Sequence, residues 1–189
     1  MTLPDDTATL APLAEIAARV GAALRARGET VAVAESSAGG LLSAALLAVP
    51  GASAYFLGGA VVYSRRAGRN LLGITKEDMV GMRAETEPYA RFIAGRMRDT
   101  LHASWGIAES GAAGPTGSPY GDAPGHVCVA VVGGQQTRSR TIENGGTDRA
   151  ANMDLFARQL LAVFEEVLRA QPAPTERAHG AGDPPPLTP

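Results

Sequence analysis

The sequence predicts an α/β protein, a three-layer α/β/α sandwich around a mixed sheet. Short apolar runs such as Val31-Ala32-Val33-Ala34 alternate with stretches whose apolar residues recur at helical spacing. Two of the apolar runs stop at corners made of a glutamate, a hydroxyl and glycines: Glu35-Ser36-Ser37-Ala38-Gly39-Gly40 and Glu109-Ser110-Gly111. A hairpin pattern follows the second corner, so the sheet cannot be purely parallel.

The first helix is read from Leu10, Leu13, Ile16, Ala17, Val20 and Leu24, with Gly28 placed to end it. Val31 to Ala34 is short and apolar, as a buried strand is. A helix over Gly39 to Ala48 follows and stops before Pro50-Gly51. Gly58 to Ser64 reads as a second strand, and the charged run Arg65 to Leu72 as a short helix. Pro88 suits the first turn of a helix whose inner face is Tyr89, Phe92, Ile93, Met97 and Leu101. Trp105 to Glu109 is the third strand. Gly111 to Gly125 is a loop with five glycines and three prolines. Gly125 to Val132 and Gln136 to Glu143 pair as a hairpin across Gly133-Gly134. Thr147-Asp148 caps a last helix carrying Phe156, Leu160, Phe164, Val167 and Leu168. Flexible residues 1–9, one domain over 10–170 and a disordered proline-rich tail over 171–189 complete the expected organisation. The tail is also a candidate ligand for a proline-recognition module.

At 189 residues the chain has enough length for one domain with a real core. A formal net charge of −2 lacks the basic footprint of a duplex-binding protein, so nucleic acid is a poor partner on this reading. The single cysteine, Cys128, has no partner for a disulfide and lies in an apolar run, as a small core residue does. No apolar run is long enough to span a bilayer, and a soluble cytoplasmic protein is expected. His102, His126 and His179 are scattered on a helix, a strand and the tail, so no metal site is read.

The chemistry concentrates at the two corners. A strand that turns into a helix brings its last polar side chains near unpaired backbone N–H groups, a setting for an anion or an oxyanion. Ser36 is therefore a nucleophile candidate, and equally Ser36 or Ser37 is a cap for the following helix. Ser110 either orients a substrate amide or bonds its own loop backbone. Glu35 and Glu109 end strands, where a carboxylate is a general base or simply solvated. Gly39, Gly40, Gly111 and Gly114 allow close approach of backbone to a ligand. Tyr63 stands beside Arg65, Arg66 and Arg69, a setting that would acidify a phenol; those arginines hold a phosphate or form the wet face of a short helix. Arg149 is a further phosphate or carboxylate ligand, or one half of a salt bridge.

In this order and spacing, the residues resemble the C-terminal domain of the CinA family, the nicotinamide-nucleotide amidohydrolases. The likeness runs from about Leu10 to Ala170. Its motifs are Ala34-Glu35-Ser36 with Gly39-Gly40, Val49-Pro50-Gly51-Ala52-Ser53, Gly58-Gly59 with Val62-Tyr63-Ser64, Leu71-Leu72-Gly73-Ile74, Gly111 with Ala113-Gly114-Pro115, and Asp148-Arg149. The resemblance implies hydrolysis of nicotinamide mononucleotide to nicotinic acid mononucleotide and ammonia, without cofactor, by a homodimer. Ser36 would attack the amide, Tyr63 and Ser110 would position it or relay protons, and Arg149 would bind the nucleotide.

Several positions depart from that pattern. Gly68 stands where the family places a lysine that looks like the serine's base. Ala38 replaces a threonine, Ser110 replaces another, and Met153 stands where a second basic residue often follows Arg149. Glu109 occupies a position that is usually apolar. Two functions follow: a deamidase whose base is Glu109, Glu35 or Tyr63, or a nucleotide-binding protein that has lost catalysis. A role beside recombination proteins, which the family's link to competence and DNA damage suggests, finds no support in charge or composition.

Overall fold

Side chains on successive strand residues alternate between large and small, and that alternation decides how the layers pack. The computed structural model describes residues 10–134 and 136–171. The flexible start expected over 1–9, and the proline-rich tail from residue 172 onward, lie outside the described residues. Five strands form one sheet: β1 (Val31–Glu35), β2 (Phe56–Val61), β3 (Trp105–Ala112), β4 (His126–Gly133) and β5 (Gln136–Glu143). Their spatial order is β2-β1-β3-β4-β5. β1 runs parallel to both β2 and β3, whereas β4 is antiparallel to β3 and to β5. The fold is the expected three-layer sandwich with a mixed sheet.

The large residues Val31, Val33, Ile107, Val127, Val129 and Val131 face α1 (Leu13–Arg27), α2 (Leu41–Leu47) and α5 (Arg149–Ala170). The opposite face carries Ala32, Ala34, Ala108, Cys128 and Ala130 against α3 (Arg65–Leu72) and α4 (Glu87–Leu101). Small side chains let α4 lie close to the sheet. Gly106 shows how close: a Cβ there would stand 1.9 Å from the Ala94 carbonyl oxygen. Cys128 is a buried thiol in this layer, and burial pushes its pKa up.

Local signals in the sequence account for most helix ends. Gly28 takes the left-handed conformation that closes α1. Ser64, Thr86 and Asp148 accept hydrogen bonds from backbone N–H groups as the N-caps of α3, α4 and α5. Three boundaries differ from the sequence reading. Gly39 and Gly40 have φ of 69° and 104°, so α2 begins at Leu41. β2 starts earlier, at Phe56, which pairs with Val31; the next pair is Ala32 with Gly58, so Leu57 is the extra residue of a bulge in β2, which ends before Tyr63. β3 continues past Glu109 to Ala112, because β4 pairs with it down to Ala112 opposite His126. That extension carries Ser110 and Gly111 in regular strand.

Candidate functional site

The parallel strands deliver the two corners to the same end of the sheet. Ala34 lies opposite Ala108 in the β1–β3 register. Two residues further on, Ser36 has left β1 for the turn into α2, while Ser110 continues in β3 at the same end of the sheet. Both line a cleft of about 1120 Å³ on the α3 and α4 side, together with Tyr63, Gly111, Gly114 and Arg149. The position is the one open α/β sheets favour, beyond the carboxyl ends of parallel strands.

The two glutamates of the corners lie beneath the cleft, away from its lining. Glu35 is fully buried and turns back under α2. Its carboxylate accepts from the N–H groups of Gly40 (2.9 Å), Leu42 (3.0 Å) and Ser43 (2.9 Å), and from the Ser43 hydroxyl (2.6 Å). Glu35 thus satisfies the open N-terminus of α2, a duty that leaves it no free oxygen for a substrate. Glu109, also fully buried, reaches across from β3. One oxygen accepts from the N–H groups of Ser36 and Ala38, and the other accepts from the Ser37 hydroxyl at 2.6 Å. Burial pushes the Glu109 carboxyl up to about 7; the three hydrogen bonds oppose that shift, and the charge of Glu35 adds to it.

The hydroxyls differ in what holds them. Ser37 is nearly buried, lines the cleft and donates to Glu109. Ser36 is half-buried, and its backbone N–H is bound by Glu109 while no base reaches its hydroxyl among the described residues. The Ser110 hydroxyl accepts from the Glu85 N–H at 3.2 Å. Tyr63 is exposed just past β2, and its phenolic oxygen accepts from Arg149 at 3.2 Å. Arg149 also donates to the Gly114 carbonyl at 2.8 Å. Asn152, one turn further along α5, donates to the Ala113 carbonyl and so fixes the same loop.

Positive charge gathers on the cleft's outer wall. Arg65 and Arg69, one turn apart on α3, and Lys76 just beyond it all line the cleft. None of the three has a carboxylate partner among the described residues; Arg65 makes only a 3.4 Å contact with the Tyr120 hydroxyl. Arg66 was expected here, but it is exposed and outside the lining. One residue is about 100° of helix rotation, enough to turn Arg66 away while Arg65 and Arg69 face inward. Gly68 is buried on the inner side of α3. It lines the cleft but, as a glycine, sends no basic side chain into it; a Cβ there would meet Ile74 Cδ1 at 3.2 Å and Val62 at 3.6 Å.

Gly39 and Gly40 also fall outside the lining. Their left-handed backbone makes the turn into α2, and the Gly40 N–H goes to Glu35. A Cβ on Gly39 would stand 2.9 Å from the end of Met153, whose side chain covers that turn where a basic residue was expected.

Among the lining residues that the sequence reading did not single out, Lys76 and Glu85 carry charge of opposite sign. Glu85 is the only carboxylate among the cleft residues, and it has φ of 63°. Its Oε2 is the one buried side-chain oxygen without a hydrogen-bond partner among the described residues. Burial and the neighbouring Asp122 push its carboxyl up, while Ser118 and Arg83 oppose them. Asp122 itself is held well below the usual carboxylate range by Arg83, with which it forms contacts of 2.6 and 2.8 Å. The Glu85 carbonyl meets the His126 ring at 3.0 Å. His126 therefore braces the cleft floor from β4. No sequence signal separates Glu85 from the polar residues around it, since its loop has no periodicity. Among the described residues no group of three or more metal-ligating side chains occurs, and no helix is long and apolar enough to cross a membrane.

The family model of the CinA C-terminal domain matches residues 13–168, which includes every element of this site. The chain belongs to the CinA C-terminal domain family. A CinA-like protein of Synechococcus is 45% identical over 106 residues, covering 56% of this chain and 25% of that protein. Another, from Sulfurihydrogenibium, is 36% identical over 147 residues, 77% of this chain and 37% of the relative. The chain thus spans between a quarter and two fifths of the length of these CinA-like relatives. A CinA superfamily protein of Klebsiella pneumoniae has the same fold with a TM-score of 0.79 at 31% identity, over 85% of this chain and 100% of its own. A competence or damage-inducible protein of Enterobacter asburiae matches with a TM-score of 0.78 at 31% identity, over 84% and 99% of the two chains.

Proposed function

We propose that this CinA-family cleft hydrolyses the carboxamide of a pyridine mononucleotide, giving nicotinic acid mononucleotide and ammonia from nicotinamide mononucleotide. The observation that carries this reading is the convergence of Ser36, Ser110, Tyr63 and Arg149 on one cleft, two of them from neighbouring parallel strands. The Glu-Ser-Ser corner supplies the nucleophile, with Ser36 at the position the family resemblance gives it. Ser110 and the Tyr63 phenol orient the carboxamide. Arg65, Arg69 and Lys76, which have no carboxylate partner among the described residues, receive the phosphate, with Arg149 also in the lining; this is the charge an anionic nucleotide requires. The reaction needs no metal or organic cofactor.

Glu35 is not the base in this scheme, since its oxygens are committed to α2. Ammonia release from nicotinamide mononucleotide tests the reading. The wild type should exceed a Ser36→Ala/Ser37→Ala double variant by at least two orders of magnitude, the usual yield of an assisted nucleophile. Equal release from the two would remove it.

Gly68 favours a second reading, in which the protein binds pyridine nucleotides without turnover. Calorimetry separates the two: tight binding of nicotinamide mononucleotide with no ammonia supports the binding protein. A cytoplasmic homodimer completes the proposal. The open edge of β2, with Leu57 and Val61 exposed, is the surface that supports such pairing.

A further inference from the structure

The position where the family places a lysine is a buried glycine, and among the described residues no base reaches the Ser36 hydroxyl, yet one hydroxyl of the same corner does have a carboxylate partner. We propose that Ser37 and Glu109 form the nucleophile–base pair of this cleft, doing here what a lysine-assisted Ser36 would do. The inference deepens the amidohydrolase reading and rests on it for the identity of the substrate. The activation of Ser37 stands on the geometry alone.

Four observations carry it. The Ser37 hydroxyl donates to Glu109 Oε2 at 2.6 Å, the contact that marks a nucleophile and its base. The other oxygen of Glu109 accepts two backbone N–H groups from the same turn, Ser36 and Ala38, so the carboxylate is held in place on both sides of Ser37. Ser37 lines the cleft and Glu109 lies directly behind it, so the carboxylate stands one hydrogen bond from the lining. Finally, Ser36 and Ser110 flank the turn on the cleft side, with hydroxyls free to donate to a developing oxyanion. A serine that only capped α2 would point to that helix, but the N-terminal N–H groups of α2 are taken by Glu35.

The proton balance closes within the pair. The Ser37 oxygen bonds to the carboxamide carbon as its proton passes to the Glu109 carboxylate. The carbon–nitrogen bond then breaks, and Glu109 returns the proton to the departing nitrogen, which leaves as ammonia. Water attacks the resulting ester of Ser37 and gives a proton to Glu109. That proton goes back to the Ser37 oxygen as the acid is released. Burial raises Glu109 to about 7, so its basic form appears as pH rises through neutrality. Glu35 on the adjacent strand is the charged group acting on it among the described residues.

Phenylmethylsulfonyl fluoride tests the pair without reference to any nucleotide, because an activated serine oxygen displaces fluoride from its sulfur. Peptide mass spectrometry of the labelled wild type should place the sulfonyl group on Ser37, at a rate that rises as pH passes about 7. Ser36→Ala should keep the label, and Ser37→Ala should lose it. Glu109→Gln, checked for folding by circular dichroism, should label at least 100-fold more slowly, the lower range of general-base assistance. A label on Ser36, no label at all, or a pH-independent rate would overturn the pair. Ser37 labelling in a protein that releases no ammonia from nicotinamide mononucleotide would keep the pair and remove only the substrate.

Discussion

Glu109 is where the physical cost of this site is concentrated. A fully buried carboxyl is expensive to ionise, and three hydrogen bonds offset only part of that expense. In the unfolded chain the group titrates near 4.5; folded, it titrates near 7. Between those values the folded protein holds a proton that the unfolded chain has released. Its contribution to stability is therefore complete below about pH 4.5 and is lost as pH rises through about 7. Chemical denaturation at pH 5 and pH 8 should show a fall in unfolding free energy on the order of 3 kcal/mol from this group. Glu109→Gln should flatten that dependence, whereas a fall undiminished in the variant would assign it elsewhere. The carboxylates also show what a sequence conceals at this scale. A glutamate at a strand end is written the same way whether it meets solvent, a substrate or the underside of a turn. Only the partners Gly40, Leu42 and Ser43 reveal that Glu35 is a cap.

At the scale of elements, the sequence was legible wherever the signal was local. Gly28, Ser64, Thr86 and Asp148 end or start their helices by conformations and hydrogen bonds within four residues, and Gly28 and Asp148 are both read directly from the sequence. The ends of β2 and β3 were not legible, because strand length is set by a partner distant in sequence: Val31 for Phe56, and His126 for Ala112. Helix α3 makes the same point for function. Three arginines at 65, 66 and 69 look alike in sequence, but rotation about the helix selects Arg65 and Arg69 for the cleft wall. Arg69→Glu should accordingly weaken nicotinamide mononucleotide binding at least tenfold, with little effect on nicotinamide riboside, which lacks the phosphate. Calorimetric titration of both ligands checks this. Equal loss for the two, or Arg66→Glu having the larger effect, would contradict the assignment of the wall.

For the whole molecule, the mixed sheet does two jobs with one pattern. Large residues on one face build the core with α1, α2 and α5, and small ones on the other admit α4 closely enough to frame a cleft beside α3. The layer order and the meeting of the two corners were readable from the sequence, since parallel neighbours must release their last residues at the same end of the sheet. Glu85, by contrast, enters the cleft from a loop whose path depends on the Arg83–Asp122 contact and on His126, none of which a local pattern encodes. Net charge was also a poor guide to the site. A chain of formal charge −2 still collects cations where an anion would bind. The most direct measurement is a crystal structure of the Ser36→Ala/Ser37→Ala variant soaked with nicotinamide mononucleotide. The carboxamide should lie against residues 36, 37 and 110, with the phosphate on Arg65, Arg69 and Lys76. A nucleotide bound elsewhere, or seated with its carboxamide on the cation wall, would contradict this placement.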